Sequence, residues 1–476
     1  MLFNSFEFLL FLPIVFFLYW FACQKKIEYQ NILILIASYF FYAWWDWRFL
    51  FLIILSTVVD YFLGLSLDKE SSDKKRKGLM AFSLIINLGF LAYFKYFNFF
   101  IDSFIQAFNS VGVHLEDRSL NIILPVGISF YTFQTLSYSL DIYRKQMKPT
   151  KNFVAFAAYV SFFPQLVAGP IERAKDLLPQ FFKNRKFSYE KAADGMRQIL
   201  LGFFKKVVIA DACAPLVNQI FETHLTLSGS TLVLGGILFI IQIYCDFSGY
   251  SDIAIGTARL FGFNLTKNFD VPYKSTSTTE IWRRWHITLG NWANTYVFNP
   301  LGMSQAKKYG KKGLFIALVV TFVLIGFWHG AKYTFLLFGL IHGIVLSLEL
   351  AGKKRIKKIK QRIGMAAFNI SGWSITMFIW WFTCIIFRSN SISESVSYFK
   401  GICSTSLFTI PTVRPLTLLL IAFSFLILER IQSSKEHTLF IPHLIKPFRW
   451  AIYFLIVLLI ISFGEFTKDN FIYFQF

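Results

Sequence analysis

Long apolar runs separated by short basic connectors extend along the whole chain. Runs reaching or approaching the roughly 20 residues needed to cross about 30 Å of hydrocarbon as a helix fall at 3–21, 31–45, 49–67, 78–97, 120–140, 199–217, 231–255, 314–327, 335–350, 365–387, 416–428 and 450–463. They predict an all-α, polytopic integral membrane protein with about 12 transmembrane helices, several short enough to be tilted, broken or partly inserted. No alternating pattern suggests a barrel. The run 153–168, closed by Gly169 and Pro170, is too short and punctuated for an ordinary span and predicts a re-entrant segment. No repeat, low-complexity tract or linker divides residues 1–476, which read as one membrane domain.

Composition agrees: 55% of residues are hydrophobic, 16% are charged, and the mean hydropathy is +0.52, far from a soluble balance. The run 3–21 follows no basic segment, carries Glu7 and lacks a small-residue cleavage site, so it reads as a retained first span. The formal charge of +21 changes the picture only through its placement. Lys25 and Lys26, the 74–77 cluster, Arg144 to Lys148, 173–191, 307–312, 353–362 and 430–449 fall on one side if the spans alternate. The positive-inside rule makes that side cytoplasmic and turns both termini outward. The opposite loops 101–121 and 221–230 hold only Arg118. The basic residues thus belong to a cytoplasmic membrane topology, with the lipid bilayer as partner and no nucleic acid. The run 353–362 reads as a solvated face at the lipid headgroups. Five scattered cysteines form no C-x-x-C pair, and no H-E-x-x-H spacing occurs, so neither a disulfide framework nor a metal site is expected.

Two histidines stand out against this apolar background. His329 ends the run from Leu314 in the order Phe327, Trp328, His329, Gly330, Ala331, with Gly330 permitting close backbone approach. An imidazole at a membrane edge costs free energy unless it is used or satisfied. Near neutral pH it can take a proton from a hydroxyl and return it; alternatively it is a hydrogen-bonded bundle residue. His286 follows Arg283, Arg284 and Trp285 in the polar connector 257–312, which is cytoplasmic or re-enters from that side. Guanidinium groups suit the phosphates of a donor and indole faces, such as Trp285 and Trp328, its apolar or cationic parts. The bland reading is an interfacial anchoring helix. Asp246 and Asp252, two carboxylates in an apolar run, would orient a histidine, pair with Arg283 or Arg284, or pair structurally with Lys205 or Lys206. Gln134, in a hydroxyl-rich span, would line a polar tunnel or bond between helices.

Taken together, these segments resemble the membrane-bound O-acyltransferases. The motifs are Leu124 to Arg144; F-F-P-Q-L-V-A-G-P-I-E-R at 162–173; C-D-F-S-G-Y-S-D-I-A at 245–254; N-F-D-V-P-Y at 268–273; W-R-R-W-H-I-T-L at 282–289; and W-H-G-A followed by G-L-I-H-G. The nearest resemblance is to the bacterial alginate O-acetylation branch, with teichoic-acid D-alanyl transfer proteins as relatives. It implies acyl transfer from a cytoplasmic thioester to a hydroxyl on an extracytoplasmic acceptor, through a central funnel at mid-bilayer flanked by re-entrant and interfacial helices. It also implies that His329 is the essential catalytic histidine and His286 the second, cytoplasmic one. His342 matches the G-L-x-H-G pattern and is expected to play a supporting role. The expected donor is acetyl-CoA or an acyl carrier protein, used as substrate and not as a bound cofactor. An extracytoplasmic SGNH-type acetyltransferase would complete transfer. The chain departs from the family where W-L-R-D-Y commonly follows the second motif: here Trp292, Ala293, Asn294, Thr295 and Tyr296 stand, and the common G-G-N-R is Gly302, Met303, Ser304, Gln305. That leaves donor identity open. The readings set against acetyl transfer are D-alanyl transfer, a transporter with Asp246, Asp252 and His329 as proton relay, and a non-catalytic envelope scaffold.

Overall fold

The computed structural model describes residues 1–115, 120, 122–442 and 444–465; Arg118 lies outside them. Every regular element among the described residues is helical. A helix satisfies its own backbone groups, as a chain surrounded by lipid requires. Among the described residues, seven helices are long and apolar enough to cross a membrane: Trp47–Lys69, Asp73–Ser110, Gly229–Leu260, Lys311–His329, Tyr333–Ile363, Met365–Arg388 and Lys446–Phe463. The expected twelve is not reached by helices of that length. Ile27–Ala43 has 17 residues, and Ile128–Tyr143 and Leu416–Ile431 have 16 each. The 199–217 window is broken by a π turn, Phe204–Ala210. The 153–168 run forms two short helices, Phe153–Val160 and Phe163–Leu166, with the residues from Ala155 onward buried.

The chain divides into two compact units, Met1–Met196 with Ala254–Thr266, and Arg197–Ile253 with Lys267–Phe476. In the first, buried Asp60 gathers a polar knot, accepting from Ser83 Oγ at 2.6 Å, Ser139 Oγ at 2.7 Å and Asn87 Nδ2 at 2.8 Å. These bonds join the helices Leu50–Lys69, Asp73–Leu91 and Ile128–Tyr143. Such interhelical bonds give apolar helices a defined register that lipid-like packing alone does not.

The second unit is built around α1 (Gly229–Leu260, which belongs to this unit as far as Ile253), α2 (Thr278–Arg284), α3 (Lys311–His329), α4 (Tyr333–Ile363) and α5 (Met365–Arg388). On α1, Asp246, Gly249 and Asp252 recur every third residue and so share a face. Gly249 packs on the turn that begins at Gly202: a Cβ there would lie 2.8 Å from the Gly202 carbonyl and 3.1 Å from the Lys206 nitrogen. The adjoining π turn sends two consecutive lysines to different carboxylates. Lys205 Nζ lies 2.9 Å from Asp252 and 3.3 Å from Glu429, while Lys206 Nζ lies 2.7 Å from Asp211 and 2.8 Å from Asp246. Tyr244 Oη donates to Glu429 at 2.7 Å and Gln198 Nε2 to Asp252 at 2.9 Å. Gly249→Val is therefore expected to disrupt this crossing, because the Gly202 carbonyl and the Lys206 nitrogen that face it are backbone and cannot rotate away. The expected readout is loss of the monodisperse detergent-solubilised species in size-exclusion chromatography.

The α3–α4 hairpin is packed backbone to backbone. A Cβ on Gly339 would lie 2.9 Å from Val323 Cα, and one on Gly343 2.7 Å from Val319 Cα. Small residues at such crossings let membrane helices approach closely, and this approach fixes the end of α3, where His329 sits.

Candidate active site

His329 is the last residue of α3, after which the chain turns extended at Gly330. Gly330 packs on the Phe335 ring with no room for a side chain. The His329 ring is 3% exposed and lies among Trp328, Phe387 and Phe338, at ring separations of 5.1, 5.4 and 6.5 Å. Three spans, α3, α4 and α5, thus position it.

His286 follows α2 in a left-handed conformation, φ +44° and ψ +52°. A non-glycine residue there carries roughly 1–3 kcal/mol of strain, which surrounding structure must hold. Here the segment from Asn268 does so from both sides: Asp270 N–H donates to the Arg284 carbonyl and Ile287 N–H to the Asn268 carbonyl, each at 2.9 Å. The His286 ring is 1% exposed, edge-on to Phe247 at 4.7 Å and 5.9 Å from Trp328. Both histidines therefore pack on the Trp328 indole. Burial, reinforced by the nearby His329 imidazole, pushes the His286 pKa well below its ordinary 6.5, leaving a neutral base at neutral pH.

The connector is seated on α4 by two residues. Glu349 caps the start of α2, accepting from Thr278 N at 2.7 Å, Thr279 N at 2.9 Å and Thr279 Oγ1 at 2.6 Å. His342, on the same helix, accepts from Trp282 Nε1 at 3.2 Å, and its Nε2 lies 3.1 Å from Thr383 Oγ1. The indole N–H can only donate, so His342 carries its proton on Nε2 and both ring nitrogens are engaged. This places His342 as a brace for the W-R-R-W-H turn.

The remaining candidates separate. Arg284 is held by Asp270 at 2.5 Å and Glu280 at 3.0 Å. Burial would raise both carboxyls; for Asp270, Lys267 and Arg284 outweigh it, and for Glu280, Thr276 and Arg284 do, so both lie below the usual range. Arg283 is exposed and makes no ion pair among the described residues. It lines an open cavity of about 510 Å³ with Asp270, Ser277, Thr279, Glu280 and Arg284. A second cavity of about 580 Å³, also bordered by Glu280, is lined by Lys274, Trp373 and Arg430 among others; no histidine lines either. Trp285 is packed among Trp380, Phe269 and Tyr244 at 4.8, 5.1 and 6.0 Å and presents no open face to a donor. Asp246 and Asp252 face Lys206 and Lys205. Gln134 belongs to the first unit, where its amide donates to the Tyr159 carbonyl at 2.8 Å. Two further residues belong here: Asn268, which meets His286, and Glu429, which meets Lys205 and whose signal in the sequence is a lone carboxylate at the end of an apolar run.

A buried imidazole pair on one indole, reached from a polar turn and from a span end, fits proton transfer during acyl transfer inside a membrane. Comparison with known proteins agrees. The sequence profile of MBOAT, the membrane-bound O-acyltransferase family, matches residues 36–393. A probable alginate O-acetylase of Pseudomonas syringae pv. tomato is 40% identical over 395 residues, covering 82% of this chain and 73% of that protein. A peptidoglycan O-acetyltransferase of Helicobacter pylori is 33% identical, covering 84% and 79%. A teichoic acid D-alanyltransferase of Streptococcus thermophilus is 25% identical, covering 65% and 77%. The chain belongs to the membrane-bound O-acyltransferase family. It is a multi-pass membrane acyltransferase.

Proposed function

We propose that this enzyme moves an acetyl group from a cytoplasmic thioester across the membrane to an acceptor hydroxyl, for O-acylation of an exported polysaccharide or other cell-envelope glycan. The observation that carries the reading is the packing of His286 and His329 on Trp328, in a site dry enough to protect an acyl donor. The hydroxyl oxygen bonds to the acyl carbon, the carbon–sulfur bond breaks, and the proton passes from the hydroxyl through imidazole to the thiolate. His329 takes the hydroxyl proton, and His286 serves the donor side. Acetyl-CoA is the donor and an acylated carrier protein the second choice. An extracytoplasmic SGNH-type acetyltransferase completes transfer to the polymer, in the cytoplasmic membrane of the cell with both chain termini outside. The alginate and peptidoglycan relatives support acetyl; the D-alanyl relative supports the second reading, D-alanine on a teichoic-acid-like polymer.

The test is the mass of acyl groups released from the envelope of cells carrying wild type, His329→Ala or His286→Asn at matched protein levels. Acetate released from wild type and lost in both variants supports the reading; D-alanine moves it to the second. Unchanged acylation in both variants overturns it and leaves a scaffold or transporter.

The two arginines are expected to behave differently. Arg283→Ala should raise KM for the thioester by about 10-fold or more at unchanged protein level, the scale of a lost charge-assisted hydrogen bond. Arg284→Ala should lower the amount of folded protein, since it takes from Glu280 its ion-pair partner and leaves Asp270 with Lys267 alone. Donor-dependence of acyl transfer and solubilised yield separate the two.

A further inference from the structure

The N-F-D-V-P-Y motif has no part in the chemistry above, yet its first residue touches His286. Asn268 is 1% exposed. Its Oδ1 lies 3.1 Å from His286 Nδ1, 2.8 Å from Thr288 Oγ1 and 3.4 Å from Thr288 N, and its Nδ2 donates to Ser251 Oγ at 3.2 Å. The two ends of an asparagine amide are told apart only by their partners. Here the backbone N–H of Thr288 can only donate, so the atom facing it is the carbonyl oxygen. That oxygen also faces His286 Nδ1, which must therefore carry the imidazole proton. The other nitrogen, Nε2, is buried and has no hydrogen-bond partner among the described residues.

We propose that Asn268, anchored by Ser251, is a positioning residue that fixes His286 with its proton on Nδ1, so that Nε2 presents a lone pair to the reacting groups. This rests on the acyl-transfer reading and deepens it. A histidine in this form cannot donate to an oxyanion from Nε2; it accepts there the proton that His329 took from the hydroxyl and passes it on to the departing sulfur. The partner is a neutral amide and not a carboxylate, so the ring is oriented without being turned into a stronger base. Beside the ring stand Phe247, Phe269 and Trp328, which carry no charge, and His329, the titratable neighbour that acts on it. Three motifs separated in sequence, at Ser251, Asn268 and His286, thereby form one hydrogen-bonded chain.

The experiment is nitrogen-15 solid-state NMR of histidine-labelled full-length protein in phospholipid vesicles. The His286 signals are assigned by their disappearance in His286→Asn, a residue that tolerates the left-handed backbone. The expected wild-type result is a protonated Nδ1 and a bare Nε2 at neutral pH. In Asn268→Ala the two forms should mix, and acylation should fall on the order of 10-fold to 100-fold at matched protein level. In Asn268→Asp the Nδ1–H form should persist and the imidazole should become doubly protonated about one pH unit or more higher, with the acid limb of activity moving with it. A proton on Nε2 in wild type, or an Asn268→Ala spectrum identical to wild type, overturns the proposal. The functional reading fails separately: full acylation in His286→Asn removes His286 from the chemistry whichever nitrogen carries its proton.

Discussion

His329→Ala is expected to lower envelope O-acylation by at least about 100-fold while leaving the solubilised protein intact. The magnitude follows from general base catalysis, which contributes about 10²–10⁴-fold. Intactness follows from the geometry: the ring fills space among Trp328, Phe387 and Phe338, and α3 is held against α4 by the crossings at Gly339 and Gly343, which the substitution does not touch. The acetate released per unit of folded protein is the measurement. A fall in proportion to protein abundance alone would assign the ring to packing. The pH dependence adds a second check. Because burial and the His329 imidazole depress the His286 pKa below 6.5, its base form persists as pH falls through that value, and the His286-dependent acid limb should lie below it.

The second large effect is on stability. Lys206→Met leaves Asp211 and Asp246 facing each other without the cation now 2.7 and 2.8 Å away. Removing one partner from a buried ion pair costs about 3–5 kcal/mol, because the remaining charge stays desolvated. The expected outcome is a marked fall in the thermal unfolding midpoint of the solubilised protein. Lys206→Met combined with Asp211→Asn and Asp246→Asn should recover much of it, since the uncompensated charges are then gone. Failure of the triple variant to recover would place the lysine's contribution in packing of its methylene stem.

The fold class was legible because an apolar run with no alternation has few other interpretations. The number of spans was not. Hydropathy averages over a window and cannot separate a 16-residue helix such as Ile128–Tyr143 from a longer one when the flanking residues are also apolar. Nor does it register a π turn such as Phe204–Ala210 inside an otherwise ordinary run. The same turn explains why the partners of Asp246 and Asp252 stayed open: their shared face could be read from a spacing of six, but which lysine each meets depends on the local helix pitch. His286 and His329 were visible as polar rings in apolar or aromatic context. What distinguishes Arg283 from Arg284 was hidden, because Glu280 lies four residues from Arg284 but Asp270 reaches it only through a folded turn. Asn268 was hidden for the same reason, its bond to His286 resting on a left-handed residue that sequence periodicity does not express.

The 31-residue helix Tyr333–Ile363 works as a depth gauge. At 1.5 Å per residue, the stretch from Tyr333 to Gly352 measures about 30 Å, the thickness of the hydrocarbon layer. Beyond it the helix continues without a break into the exposed basic run 353–362. Sliding inward by one turn would draw lysine ammonium groups toward lipid, and sliding outward would wet Tyr333 and its neighbours. Since Glu349 and His342 seat the turn that carries His286 on this same helix, the bilayer itself sets the height of that histidine.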